Sequence, residues 1–233
     1  MNILQKEKNI LLLSIFIGTF ITIIFILTTK SYSYNIQKGI ANEVIRLHVL
    51  ANSDENYDQQ LKIKVKDSVI KMLENELNNS ISKDETRIIL LQNLNKIEQK
   101  AKQIIEENGY NYNVSAKITF DYFPTKQYGD IILPAGEYEA LKIEIGEAKG
   151  QNWWCVMFPP LCFIDVSVKE VPKEEKDKLK NILTDTEYDI ITKAKNKNDI
   201  PIKIKFKIVE IWQNKFSGNY RIRTDHISPY LQS

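Results

Sequence analysis

The chain has 233 residues, 43% of them hydrophobic and 27% charged, with 32 Lys and Arg against 30 Asp and Glu. That length holds one domain of ordinary size plus an appendage, and it can bury a sizeable core. With 8 Gly and 7 Pro, and no internal repeat, it is neither collagen-like nor low-complexity.

The appendage comes first. Asn9 to Thr29 (NILLLSIFIGTFITIIFILTT) carries no charge and is flanked by Lys8 and Lys30. As a helix this run spans about 30 Å, the thickness of a bilayer core. Charge is costly in hydrocarbon, so the charges stop at its edges. The run is apolar all round rather than striped, which favours a membrane span over a buried core helix. It is also longer than the ~7–15 apolar residues of a signal-peptide core. Residues 1–30 are therefore expected to be a membrane anchor or signal segment, leaving the rest membrane-anchored or secreted; the length favours an uncleaved anchor, and the best cleavage match, Ser31-Tyr32-Ser33, is weak. Neither cysteine lies near it, which removes a lipoprotein. Lysines on both sides leave the positive-inside rule nearly silent, but the very short leader is an export layout. Residues 31–233 are expected outside the cytoplasm as one domain. Taking away Lys6, Lys8, Lys30 and Glu7 leaves 29 basic and 29 acidic residues in that domain. A neutral domain argues against nucleic acid, which demands a positive footprint, and against a polybasic lipid-binding surface.

In VIRLHVLAN (44–52), Ile45, Leu47, Val49 and Ala51 alternate with Arg46, His48 and Asn52, the pattern of a half-buried strand. Ser53 and Asp54 supply N-cap chemistry for a helix with Leu61, Val65, Val69, Met72 and Leu77 at helical spacing. A second helix opens on a capping box, Ser82 to Glu85. Its apolar row is Leu91, Leu94, Ile97, Ala101 and Ile104, and it should stop at Asn108-Gly109. The period then changes to two. Val114, Ala116, Ile118 and Phe120 form one strand; Leu141, Ile143 and Ile145 form another after a turn at LPAGE (133–137). Pro172 opens a helix through Leu179, Ile182 and Leu183, and Ile202 to Ile208 alternates with lysines as a last strand. Together these predict an α+β fold: an N-terminal transmembrane helix, then one domain with a mostly antiparallel sheet and two to three helices.

Candidate chemistry is sparse. Two histidines, His48 and His226, and a C-x6-C pair do not make a zinc pattern, so no metal is expected. There is no G-x-S-x-G elbow. Ser80-Ile81-Ser82-Lys83 spells S-x-x-K, but its companion motifs are missing, and there is no Asp-Thr/Ser-Gly. Cys155 or Cys162 with His48 is the best enzymatic arrangement, that of a Cys–His hydrolase acting on peptides or wall material. Its apolar surroundings make the thiols inert, so a cystine or two packed thiols are the simpler readings. An oxidising exported site and the prolines between them bring Cys155 and Cys162 within disulfide reach. His48 fits a polar network as well as a binding role.

Two stretches together carry a family resemblance. IRLHVLANSDENYDQQLKIKVKDSV from Ile45, with Arg46, His48, Asn52, Ser53, Asp54, Asp58, Gln59, Lys62 and Asp67 in register, resembles the N-terminal signature of the stage II sporulation protein R family. YGDIILPAGEYEALKIEIGEAKGQNWWCVMFPPLCFID resembles its second signature. The likeness covers roughly residues 40–167, and FKIVEIW (206–212) is similar too. What it implies is a signal rather than an enzyme. Proteins of this family are made in the forespore of endospore formers. They are exported toward the space between forespore and mother cell, where they activate a membrane-embedded aspartic protease, the sigma-E factor processing peptidase, which trims pro-sigma-E. The expected partners are then that peptidase and, through the N-terminal helix, the membrane, with no cofactor or small-molecule substrate. A structural wall- or membrane-associated scaffold is a third reading. Arg46, His48, Asn52 and Asp54 become candidates for fold glue, contact surface or both. In NWWCVMFPPLCF (152–163), adjacent Trp153 and Trp154 point to opposite faces, so one is expected to be buried. The prolines end the strand, and Phe158, Pro159, Pro160 and Leu161 should carry apolar side chains outward as a loop tip. With Trp153, Phe158, Pro159 and Leu161 are the candidate contacts.

Overall fold

The computed structural model describes residues 3–163 and 170–194. The strand expected at 202–208 and the FKIVEIW segment lie outside them. Element order is α1 (Ile3–Glu43), β1 (Ile45–Leu50), α2 (Asn56–Asn79), α3 (Lys83–Glu107), β2 (Val114–Phe123), β3 (Lys126–Tyr128), β4 (Ile131–Leu133), β5 (Gly136–Ile145), β6 (Asn152–Phe158), a short 3-10 turn (Leu161–Phe163), α4 (Lys173–Ile182) and α5 (Asp185–Lys193). The main sheet runs β2-β5-β1-β6, with β1 parallel to β5 and the other two pairings antiparallel. β3 and β4 make a separate two-stranded ribbon. The class is α+β with a mostly antiparallel sheet.

Both faces of the sheet are covered. On one, Ile45, Leu47, Val49, Leu141, Ile143 and Cys155 pack with Leu61, Val65 and Leu73 of α2 and with Leu90, Ile97 and Ala101 of α3. On the other, Tyr138, Ala140, Phe123 and Val156 pack with Ile40 and Ala41 of α1, Ile131 and Leu133 of the ribbon, Leu179 of α4 and Ile191 of α5. β1 is thus a central strand with two dry faces, buried from Ile45 to Val49. The half-buried strand expected from its alternation is corrected on this point: Arg46 is 0% and His48 6% exposed. The Arg46 Nη2 and both His48 nitrogens find partners on strands far away in sequence, which local alternation does not report.

The helices start and stop largely where local chemistry dictates. The Ser82 hydroxyl accepts from the Glu85 N–H at 3.1 Å, although the Glu85 carboxylate accepts from Ile81 rather than closing the box on Ser82. α3 ends at Asn108, and Gly109 turns the chain with φ 84°. α2 differs. Its N-cap is Glu55, which makes no side-chain cap, because Ser53 and Asp54 are used elsewhere. α5 brings the helices after α1 to four among the described residues, one more than expected; its Thr184-Glu187 capping box is legible in TDTE.

α1 does not break at residue 30. It runs on to Glu43, and its last turns enter the core with Ile40 buried, as is Val44 just beyond. Gln37 donates to the Glu137 carbonyl at 3.1 Å, Lys83 to the Ala41 carbonyl at 3.1 Å. Gly39 lets α1 close on α5: a β-carbon there would overlap the Glu187 carboxylate.

The outward tip at 158–161 is not found. Phe158 and Leu161 are each 3% exposed, and Pro159 and Pro160 are buried. β6 does end at Phe158, as the prolines require. The chain then turns inward, with Phe158 in one core layer and Leu161 in the other. Cys155 and Cys162 are joined in a disulfide with Cα atoms 5.3 Å apart, which ties the turn back to β6. Closing so short a loop stabilises by roughly 2–3 kcal/mol on the chain-entropy account. Cys155→Ser and Cys162→Ser are therefore expected to lower the melting temperature by similar amounts, measured side by side by circular dichroism. A large effect from one alone would mean that packing of that residue, not the cross-link, sets the loss.

Candidate functional site

The residues singled out in the first signature meet those of the second. Asn52, Ser53 and Asp54 form the β1–α2 loop, and Gly146 to Gln151 the β5–β6 loop. Asn52 accepts the Glu147 N–H at 3.0 Å and donates to Asp58 at 2.8 Å. Ser53 donates to the same Asp58 oxygen at 2.6 Å. Asp54 accepts the Gln151 N–H at 2.7 Å. The N–H groups of Lys149 and Gly150 bond to the carbonyls of Asn52 and Ala51. Gln59 donates to the Ser53 carbonyl at 2.8 Å, and Lys62 to the Gln151 carbonyl at 2.7 Å. Lys62 is 4% exposed; burial pulls its pKa down, with Asp54 acting in the opposite direction. Gly146, at φ 59°, holds a conformation that side chains rarely adopt, and a β-carbon there would meet the Asn52 amide. Asn52 and Asp54 thus tie the two loops together.

The second cluster fills the other face of β1. The Arg46 guanidinium lies 4.2 Å from the Phe123 ring centre, 4.9 Å from Tyr138 and 5.9 Å from Tyr128. Its Nη2 donates to the Tyr128 hydroxyl at 2.6 Å, while Nε and Nη1 find no hydrogen-bond partner among the described residues. No phenolate balances the charge: burial pushes Tyr138 up to about 12 and raises Tyr128, although Arg46 pulls both the other way. The cation is held by ring faces, an attraction that grows when water is excluded. His48 is gripped at both nitrogens, Nδ1 by Asp121 at 2.7 Å and Nε2 by the Asn152 amide oxygen at 2.6 Å. Its ring stacks on Trp154, centres 5.9 Å apart. Asp121 also takes Lys142 at 3.0 Å. Burial pushes Asp121 up, but its bonds to His48 and Lys142 outweigh this and hold it below its ordinary value.

The arrangement separates the Cys–His pair. Cys155 faces the α2–α3 layer, His48 the opposite one, and the disulfide leaves neither sulfur a thiol. Ser80 and Lys83 likewise diverge. Ser80 bonds to Thr86, and Lys83 pairs with Glu139 at 3.2 Å.

Half-buried tryptophans remain at the surface. Trp153 and Trp154 point to opposite faces of β6 as expected, but both are half-buried, rather than one being wholly inside. Lys66 lies 4.4 Å over the Trp153 ring and Lys126 4.5 Å over Trp154. Each indole N–H is buried with no acceptor among the described residues. The two lysine-capped rings straddle an edge strand, a feature that local reading of NWW reaches only once β6 is known to lie at the edge.

Residues 41–168, which hold both clusters, match the family model described as Stage II sporulation protein R. The chain belongs to the stage II sporulation protein R family. It is 43% identical over 150 residues to the stage II sporulation protein R of Bacillus subtilis (strain 168), covering 64% of this chain and 67% of that protein. No solved structure matches. Family membership makes this a sporulation protein of the signalling type, and α1 is long and apolar enough to cross a membrane, as an anchor or export signal in this family would be.

Acid should loosen these clusters. Asp121 and Glu139 both titrate below their ordinary values; for Glu139 the Arg87 bond does most of this, against burial and with Lys83. Such carboxylates stabilise the fold above their unfolded values, about 3.9 for Asp and 4.3 for Glu. That stability is lost as pH falls through the lower folded values. Urea midpoints should therefore hold steady above about pH 5 and drop below about pH 4. Glu139→Gln should be weaker at neutral pH and show a shallower acid drop. An unchanged acid limb in that variant would show that Glu139 does not carry it.

Proposed function

We propose that the chain is an exported sporulation signal, held at the membrane by α1, that switches on a membrane-embedded aspartic protease, the sigma-E factor processing peptidase that trims pro-sigma-E. The observation that carries this reading is the unbroken α1. An apolar segment fit to span a bilayer continues into the helix whose last turns sit in the core. From Lys30 to Ile40, the first buried core residue of α1, is about 15 Å of helix. A domain mounted so close to a bilayer is placed to address a protein embedded in one. Family membership gives the process, and the formally neutral domain fits a protein receptor better than a nucleic acid.

The contact favoured by the geometry is the β6 edge. Trp153 and Trp154 supply half-exposed aromatic area on this strand, and tryptophan is a favoured anchor at interfaces. Arg46, His48, Asn52 and Asp54 support this edge from behind; Phe158, Pro159 and Leu161 support it from within.

Co-expression with the peptidase and pro-sigma-E in a non-sporulating host tests the reading, with cleavage of pro-sigma-E as the readout. The full chain should trigger processing, and a chain lacking residues 1–30 should not, being left on the wrong side of the membrane. Processing by a strictly cytoplasmic form would sink the export step. Trp153→Phe with Trp154→Phe replaces each indole by a smaller ring and so trims the aromatic area offered to a receptor. It should leave the melting temperature within a few degrees yet cut processing several-fold. Full processing by that variant would move the contact away from β6.

A further inference from the structure

β2 is the outer strand of the sheet on the side away from β6, and among the described residues no strand pairs with its free edge. Which of its backbone groups face outward can be read from their partners. The Ala116 N–H is taken by the Glu98 carboxylate at 2.7 Å, and the Tyr122 N–H by the Asp121 carboxylate at 2.9 Å. Gly146 N–H continues the ladder to the Asn113 carbonyl at 2.8 Å. Even-numbered residues of β2 therefore aim their N–H and C=O away from β5. Between the two capped positions lie Ile118 and Phe120. No described side chain takes their N–H groups, and the Phe120 carbonyl receives only the Thr119 hydroxyl, at 3.4 Å. The uncapped stretch is symmetric about Thr119.

We propose that this edge pairs with the same edge of a second copy of the chain, antiparallel about a two-fold axis through Thr119. In that register Ile118 faces Phe120 of the second copy, and each pair exchanges two backbone hydrogen bonds. The capped residues Ala116 and Tyr122 face each other's counterparts, so the caps fall on both sides of the open stretch. Lys117 comes opposite Asp121 of the second copy, in both directions, an attractive cross-strand pair. The interface is self-complementary, as a two-fold contact must be.

The side chains agree. Phe120 is opposite Glu139 in the register with β5, and Glu139 is bonded by Arg87 of α3, so Phe120 lies on the α3 side of the sheet. It is 67% exposed, and Ile88 and Leu91 on α3, beside and one turn beyond Arg87, are 53% and 49% exposed. Across the axis these apolar groups are brought toward their counterparts in the second copy. An unrelated partner strand would need neither the symmetric opening nor the Lys117–Asp121 match. The pairing is independent of the receptor reading above, since it leaves the β6 edge free.

Cysteine cross-linking of the full chain in membranes tests the register. The two native cysteines are bonded to each other, so an added one is the only free thiol. Thr119 would face itself at a non-hydrogen-bonded position, with Cα atoms about 4.5 Å apart, inside disulfide range. Residue 117 would lie about 14 Å from its own copy along the strand. Thr119→Cys should therefore run as a covalent dimer on a non-reducing gel, and Lys117→Cys should show a loss of that band to background. Adding Lys117→Glu to Thr119→Cys sets acid against Asp121 and should cut the dimer band several-fold. Uncross-linked wild type in detergent should size as a dimer by light scattering and Phe120→Lys as a monomer. A monomeric wild type overturns the proposal, as does equal cross-linking at 117 and 119, or a Thr119→Cys chain that stays monomeric with its native disulfide intact.

Discussion

The structure depends on β1 being buried on both faces while carrying Arg46 and His48. One face is ordinary: Ile45, Leu47 and Val49 against two helices. The other places a guanidinium in the middle of an apolar layer. A buried cation without a counter-charge is costly, and an apolar residue of the same size is often as stable or more so. Arg46 is therefore better understood through what it arranges than through what it adds to stability. Its planar group touches rings from β2, β3 and β5, and its one hydrogen bond fixes Tyr128 of the ribbon. His48, one step along the same face, joins β2 to the start of β6 through Asp121 and Asn152. Two polar residues on one strand thus specify how four other strands come together.

The two loops at the end of the sheet extend the same logic. Asn52, Ser53 and Asp54 leave β1 and at once bond to the connection between β5 and β6, the two strands that flank β1. Asp58 and Lys62, one turn apart on α2, hold the joint from the helix side. Asp58 and Lys62 are buried, and inside the protein an unmade hydrogen bond costs more than a made one contributes. The joint therefore tolerates few substitutions and resists register slips between the loops.

Much of this was legible in the sequence, and the failures have physical causes. α3 could be read from Ser82 to Asn108-Gly109, and β2 and β5 from strict alternation, because those signals are local. The C-x6-C spacing led to the disulfide. β1 looked half wet because Arg46 and His48 are polar, and the partners that accompany their burial, Asp121, Tyr128 and Asn152, lie 73 to 104 residues away. The 158–161 stretch was placed outside since prolines end strands. They do end it here, but the apolar side chains that follow have two core layers to enter, and a strand ending does not decide which way the chain turns. Ser53 and Asp54 have N-cap chemistry, yet the β5–β6 loop and Asp58 compete for them and win.

The continuity of α1 ties position to orientation. Each residue of an α-helix turns the chain about 100° and advances it 1.5 Å. A domain joined to its helix by a flexible linker can present any face to its surroundings. Here the helix is held by the Gln37 and Lys83 bonds and by the close approach at Gly39, so its axis and the sheet are fixed relative to each other. If the apolar part stands across a bilayer, the direction in which each sheet edge looks is set by the number of residues between Thr29 and Ile36. Adding two residues there would swing both edges by about 200°, whereas seven would return them nearly to where they began, about 10 Å further out. A receptor that reads one edge from a neighbouring membrane would distinguish those two insertions, and one that captures a freely turning domain would not.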